Sequence, residues 1–550
     1  MNDDLPRLAR LDGGTQVHYR GKNLYSPVSP AAAADRRADL IEVKPQTLLL
    51  VPSPLLCYGI ESLLKKLPED SFVLCVEVDE SLMAVTTANI PDYLVDHPRV
   101  QFIRTDSPEK IAAFVDQRIG IGRFRRLTLA PLNAGYSLNG PAYRKLADAL
   151  DREIQVFWQN RLTGAFFGRL WVRNLISNLG ELAAGGETVP PPATTGPVVV
   201  AGAGESLESV LPWLRDCRKQ IYLFAVDTAL PPLFEAGITP DLVLVVEAQW
   251  ANIQDFVPLG RNAALHLWSD LSGSPTPLRL AVCAKTSVFL SRFSPCRIIQ
   301  EVEERQLVDA VVPPLGSVGV SAAYLARRIT SGDVLLAGLD FSYQPGKPHA
   351  RGTASHLAYL HSTQRLSPDP LYESSTRRRK LRPSVIRRTG FVTDSVLLSY
   401  ARDLNAIIRD DPRVFLLGDC GMDLGVPRVK SQEELVKLLT GADAGLKIGN
   451  MPEAPANRQQ AAREFLEEQN RRLEAVRELI TNYLNVHESA DRAAMWTELR
   501  RSLEQSDYLY FDFPDAAVGP TDSPAFLRRV LSNVSGYLRR FTQILRADQR

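Results

Sequence analysis

Short apolar runs that end in polar or acidic residues recur along this chain, and they limit its fold more than any other feature. TLLLVPS (47–53) and FVLCVEVD (72–79) form a first pair, with a helical stretch at 58–67 between them. VVVAGAGESL (198–207), IYLFAVD (221–227), DLVLVVEA (241–248), AALHLWSD (263–270) and DVLLAGLDF (333–341) form a second series. A strand with one wet face alternates apolar and polar residues, whereas a continuous apolar run is a strand covered on both faces. Separated by helical sequence, such runs read as βαβ units building a parallel sheet. Further strands are expected at 99–104, 125–130 and 414–418, and 141–183 reads as helix. From 457 onward the pattern is helical, with Leu466, Leu473, Val476, Leu479, Ile480 and Tyr483 on one face and a last helix at 524–546.

The fold class expected is α/β: two Rossmann-like domains with parallel sheets, plus a helical C-terminal domain. AAGGETVPPPATTGP (183–197) has the composition of a linker. The expected division is therefore an N-terminal domain at 1–183, a linker at 184–197, a central nucleotide-binding domain at 198–445 and a helical domain at 446–550. Lys plus Arg number 64 against 63 Asp plus Glu. A net charge of +1 supplies no general field for nucleic acid, which is not expected as a partner. No apolar run approaches the ~18 residues of a membrane span. The six cysteines form no C-x-x-C pair, which fits a reducing, cytoplasmic compartment.

The chemistry concentrates after residue 200. In VVVAGAGESLESVLPWL, Gly202 and Gly204 allow backbone amides to approach an anion at the start of a helix, and Ser206 either donates to that anion or caps the helix. The turn lacks the third glycine of a dinucleotide fingerprint and the Gly-Lys-Ser/Thr of a Walker loop. Asp227 and Glu247 end the next two runs. Ligands of open parallel sheets sit beyond the carboxyl ends of the strands, so both acids are candidates for ribose hydroxyls or a divalent cation. For Asp227 the plainer reading is a helix cap at Thr228.

The order GAGESL, AVDTALPPLFEAGITPDLVLVVEAQ, LGSVGVSAAYLARRI and LLAGLDFSY resembles the motility accessory factors, flagellin-associated nonulosonate glycosyltransferases. Their domain family includes archaeal hydroxymethylpterin diphosphokinase, and the motif order is also similar to that of bacterial sialyltransferases. The match covers 196–440. It places a phosphate turn on Gly202, Gly204, Ser206 and Leu207, strand-end polar positions on Asp227 and Glu247, and G-I-x-P-D on Gly237, Ile238, Pro240 and Asp241. A Gly-Ser pair falls on Gly316 and Ser317, a G-x-D on Gly338 and Asp340, a His-Ala on His349 and Ala350, and a V-x-T on Thr393. The resemblance thus implies nucleotide binding by Gly202, Gly204, Ser206, Asp227, Glu247, Gly316 and Ser317, with Asp340 and His349 catalytic. Three departures stand out. Glu205 replaces the usual proline of the turn, acids replace the amides that sialyltransferases use near Asp227 and Glu247, and GFVTD (390–394) stands where they carry a catalytic histidine.

The activity implied is transfer of a nucleotide-activated sugar to a protein such as flagellin or another motility protein. One alternative is a diphosphokinase of a hydroxymethylpterin-like alcohol, with Asp227 and Glu247 holding Mg²⁺. Another is a non-catalytic motility accessory protein. The sequence assigns no metal ligands and no oligomeric state.

Two further features complete the reading. The polar stretch 342–390 reads as a long loop or lid; it contains His349, His356 and His361 and the basic run STRRRKLRPSVIRR (375–388). In the first domain, Glu77 and Asp79 end a strand, but the preceding VPSPLLCYGIES lacks a glycine fingerprint, so this domain reads as scaffold.

Overall fold

A computed structural model describes residues 5–185, 188–257, 265–280, 285–293, 296–366, 370–377, 381–383, 390–440, 448–450, 457–486, 492–513 and 519–547. The chain divides into two compact units, Met1–Phe166 with Phe511–Pro520, and Phe167–Tyr510 with Thr521–Arg550. Among the described residues no helix is long and apolar enough to cross a membrane.

The first unit opens with an antiparallel sheet of β1 (Arg7–Leu11), β2 (Gly14–Tyr19) and β3 (Lys22–Asn23). Its core is a parallel sheet of β4 (Thr47–Pro52), β5 (Phe72–Glu77), β6 (Val100–Arg104) and β7 (Arg126–Leu129), in the order β6-β5-β4-β7. The continuous apolar run of β4 is explained by its two covered faces. Leu49 and Val51 join one buried cluster with Val73 and Cys75, while Leu48 and Leu50 join another with Leu74 and Val76. Each such leucine contributes about 2 kcal/mol by leaving water.

The second unit contributes β8 (Pro192–Thr194), β9 (Val198–Ala201), β10 (Tyr222–Val226), β11 (Leu242–Val245), β12 (His266–Asp270), β13 (Lys285–Ser291) and β14 (Ala310–Val312). It continues with β15 (Val334–Ala337), β16 (Arg382–Pro383), β17 (Val392–Thr393), β18 (Val414–Leu417), β19 (Arg428–Val429) and β20 (Ile448–Asn450). Nine of these form one sheet in the order β14-β13-β12-β11-β10-β9-β15-β18-β19, and every neighbouring pair is parallel. The α/β class with parallel sheets and a helical C-terminal region is therefore the observed one.

The domain boundaries differ from those read in the sequence. The break between units falls inside helix Gly140–Ala183, not at 184–197. The Pro/Thr-rich stretch is woven into the second unit: β8 pairs with β20, Thr188 bridges to Thr286, and Thr194 bridges to Thr330. The C-terminal helices Arg458–Asn485 and Pro524–Ala547 also belong to this unit. Their attachment is ionic as well as apolar. Arg458 pairs with Asp309 at 2.6 Å with both side chains buried, and Arg472 with Glu301 at 2.8 Å. Composition cannot register such long-range pairs, so a proline-rich segment reads as a spacer.

Candidate functional site

Strand order in the large sheet reverses beside β9: β10 to β14 run out on one side, and β15, β18 and β19 on the other. Such a switch point opens a crevice beyond the carboxyl ends of the two central strands. The turn Gly202–Ser206 follows β9 and the turn Gly338–Asp340 follows β15, so two of the sequence motifs meet there.

The two turns are bonded to each other. Gly202 N donates to Ala337 O at 2.8 Å and Gly204 N to Gly338 O at 2.8 Å. Asp340 accepts from Ser206 N at 2.8 Å and from Ser206 Oγ at 2.5 Å, while Gly338 N donates to Ser206 Oγ at 3.2 Å. Asp340 is buried, and burial, reinforced by Glu205, holds its carboxyl above the ordinary range against the pull of the Ser206 hydrogen bonds. Three amides expected to face a phosphate are thus spent within the chain, and the Asp340 carboxylate occupies the anion's place at Ser206. In this arrangement Asp340 shapes the turn; both of its oxygens are engaged.

Glu205, the departure from the family's proline, has a local partner. Lys347 Nζ lies 3.2 Å from Glu205 and 3.0 Å from Glu208. The lysine comes from the stretch after Asp340. Ala350 N donates to Ala203 O at 2.9 Å, which pins His349 and Ala350 against the glycine turn. The region read as a long loop is more ordered than its composition implies. It contains helices Ala354–Ser362 and Pro370–Thr376; Tyr343 pairs with Val392, and Gly346 N donates to Ser375 Oγ at 2.8 Å. His356 lies in the first turn of the first of these helices, beside Gly352, and His361 lies exposed in its last turn. Residues 378–380 and 384–389 of the basic run lie outside the described residues. Thr393, at the family's V-x-T, is buried and donates to Phe341 O at 2.8 Å.

Gly316 and Ser317 lead into helix Val318–Ile329. Gly316 has φ +66°, and Ser317 is a half-buried N-cap whose side chain makes no capping hydrogen bond. Gly319, one turn on, lies against Leu339, the residue that also packs on Gly202. This puts the helix N-terminus, with its positive end of the backbone dipole, beside the paired turns.

Asp227 and Glu247 sit beyond β10 and β11 with different exposures. Asp227 is buried and accepts from the adjacent Thr228 N at 2.8 Å, but it is the first residue of a short 3-10 turn whose N-cap is Val226, so it does not cap a helix; Glu247 is exposed and accepts from Gln249 N at 2.8 Å. Burial raises Asp227 to about 6, with the Glu247 charge adding to the rise. Burial likewise raises Asp255 to about 7, with Asp227 adding to it. Asp255 and its neighbour Asn252 were not singled out from the sequence; the polar residues of WANIQD after the third strand are the signal that marks them. Among the described residues, no three His, Cys, Asp or Glu side chains converge as a metal site would. A Mg²⁺ held at Asp227 and Glu247 would need water and substrate phosphates to complete its shell.

Asn174 and Asn178, on helix Gly140–Ala183, hold the loops at this edge. Asn174 donates to Ala248 O and Ser272 O, and Asn178 to Leu271 O and Gly273 O, all at 2.8–3.1 Å. In the first unit, Glu77 is fully buried and accepts from Val78 N, Asp79 N and Tyr143 Oη, while Asp79 caps the following helix. Both acids are spent on the scaffold.

The family model described as 6-hydroxymethylpterin diphosphokinase MptE-like matches residues 173–346. The match begins at the helical turn carrying Asn174 and ends beyond β15, so it spans the switch point. An uncharacterized protein of Treponema pallidum (strain Nichols) is 27% identical over 573 aligned residues, covering 98% of this chain and 95% of that protein. A second uncharacterized Treponema pallidum protein is 27% identical over 122 residues, covering 22% of this chain and 58% of its own. Among solved structures, the MAf glycosyltransferase from Magnetospirillum magneticum AMB-1 shares the fold with a TM-score of 0.54 at 15% identity, covering 99% of this chain and 90% of that one. The family resemblance read from the motifs stands on these findings.

Proposed function

We propose that the second unit transfers a sugar, a nonulosonate, from a nucleotide-activated donor to a protein hydroxyl such as a flagellin serine or threonine, in the cytoplasm. The observation that carries this reading is the helix N-terminus at Ser317. It brings backbone amides and an uncommitted hydroxyl to the switch point, where a leaving nucleotide phosphate needs hydrogen-bond donors. The acceptor hydroxyl attacks the anomeric carbon while the bond from that carbon to the nucleotide phosphate breaks. Ser317 and the first amides of its helix take the phosphate. His349, held beside Ala203, receives the acceptor proton or passes one to the phosphate. Gly202 and Gly204 let the two turns pack on each other, Gly316 leads the chain into the Ser317 helix, and Asp340 positions the turn through Ser206. Asp227 and Glu247 face the nucleoside side.

Isothermal titration with CMP, UDP and ATP, each with and without Mg²⁺, tests this. The expected result is CMP binding that survives chelation, and at least tenfold weaker binding in Ser317→Ala, since a hydrogen bond to a charged group is worth about 1.5–3 kcal/mol. His349→Ala is expected to keep CMP affinity and lose about 100-fold in transfer rate. A chain that binds none of these nucleotides, yet pulls down flagellin, would overturn catalysis. The family match at 173–346 favours one second reading, pyrophosphoryl transfer to a pterin-like alcohol, which would appear as Mg²⁺-dependent release of AMP from ATP.

A further inference from the structure

The nine-stranded sheet ends on one side at β14, whose outer edge pairs with no strand among the described residues. A cavity of about 500 Å³ runs along that edge. Its floor is Ala310 and Val311 of the strand itself. Its walls include Gln306, just past helix Arg297–Glu304, and Tyr324 and Arg328 of helix Val318–Ile329. With strands ~4.8 Å apart, the five spacings from β14 to β9 put this cavity roughly 24 Å from the switch point.

The charges around the cavity do not cancel. Glu303 is paired with Arg292 at 2.5 Å, and Asp309 with Arg458 at 2.6 Å. Both acids are therefore neutralised. Arg328 lies over the Tyr324 ring, 5.0 Å from its centroid, and no carboxylate pairs with it among the described residues. Ala310–Val312 itself has no lysine, no proline and no bulge; the edge is limited only by its three-residue length and by Pro313 and Pro314, which stop it. Unpaired main-chain groups beside one uncompensated guanidinium match an extended chain that carries carboxylates.

We propose that the β14 edge docks an extended acidic segment of a partner polypeptide as an added strand, with Arg328 taking one of its carboxylates. The inference is independent of the transfer chemistry. A small anion would use Arg328 but leave the strand edge idle, and a second copy of this chain would pair edge to edge.

A fluorescein-labelled decapeptide of alternating Thr, Glu and Val, titrated into the full chain and followed by anisotropy, separates these cases. Saturable binding is expected, weakened about tenfold by Arg328→Glu and by exchanging the peptide's Glu for Lys. N-methylation of alternate peptide amides is expected to abolish it, because main-chain bonds carry strand addition. Hydrogen exchange at Ala310–Val312 should slow in the complex. Equal binding of the N-methylated peptide, or equal binding to Arg328→Glu, would overturn the proposal. So would displacement of the peptide by inorganic phosphate at equal concentration. A concentration-dependent dimer that Arg328→Glu dissolves would assign the edge to a second copy and overturn it as well.

Discussion

Gly338→Ala is expected to destabilise the second unit by about 3 kcal/mol or more, combining ~1–2 kcal/mol of left-handed backbone strain with ~1–3 kcal/mol of overpacking. Gly338 has φ +65°, and a Cβ there would lie 2.3 Å from Gly202 O and 2.8 Å from Gly202 C. Those atoms belong to the turn that Gly338 itself holds, so neither turn can yield without breaking the other. Gly237→Ala is the control: its φ is +73°, but nothing lies within 4 Å of the added atom, so only the strain of ~1–2 kcal/mol remains. Urea midpoints measured side by side separate the terms. If Gly338→Ala falls no further than Gly237→Ala, the two turns are not packed against each other. The same geometry changes how a bulky residue at Gly204 reads out. A Cβ at Gly204 would lie 2.5 Å from Asp340 Oδ2 and 2.7 Å from Gly338 O, so Gly204→Val strikes its own chain first. Loss of nucleotide binding in that variant would report a broken turn as readily as a blocked ligand.

This internal crowding explains which parts of the site were legible in the sequence. The runs ending at Ala201, Val226, Val245 and Ala337 are apolar throughout because helices cover both faces, and that pattern is local. It fixed the strands and placed Gly202, Asp227, Glu247 and Gly338 at one edge. β13 went unread because KTSVFLS mixes polar and apolar residues, and β14 because three residues are too few to show a period. The partners of the motif residues were illegible for a different reason. Nothing near Ser206 marks it as the mate of Asp340, 134 residues away, and nothing near Glu205 marks Lys347. The glycine pattern alone implies room for a ligand, whereas at Gly202 and Gly204 the space is taken by the chain's own Gly338 and Asp340. In the sequence only the family motif marks Ser317. Its uncommitted hydroxyl is visible only once the helix it starts is seen to lack a side-chain cap.

Asp227→Asn is expected to stabilise the protein by about 3 kcal/mol at pH 8 and to leave it nearly unchanged at pH 4, at 1.36 kcal/mol per pKa unit. An ordinary aspartate titrates near ~3.9. Burial lifts Asp227 to about 6 and Asp255 to about 7, each raised further by a neighbouring carboxylate. Between the ordinary value and these raised ones the folded chain holds protons that the unfolded chain has released. The stabilisation is therefore complete in acid and is lost as pH rises through 6 and 7. Asparagine keeps an oxygen for Thr228 N and cannot ionise, and without the Asp227 charge Asp255 should titrate closer to its ordinary value. Buried Asp270 and Asp340 tilt the profile the same way in both proteins. Asp411, which burial alone would raise, is held at about 2 by Arg413 and Arg327 and acts only in stronger acid. The difference between wild type and variant thus isolates the Asp227–Asp255 pair. Urea unfolding at pH 4, 6 and 8 checks it. Parallel pH profiles for the two proteins would show that Asp227 is ionised and well solvated in the folded chain.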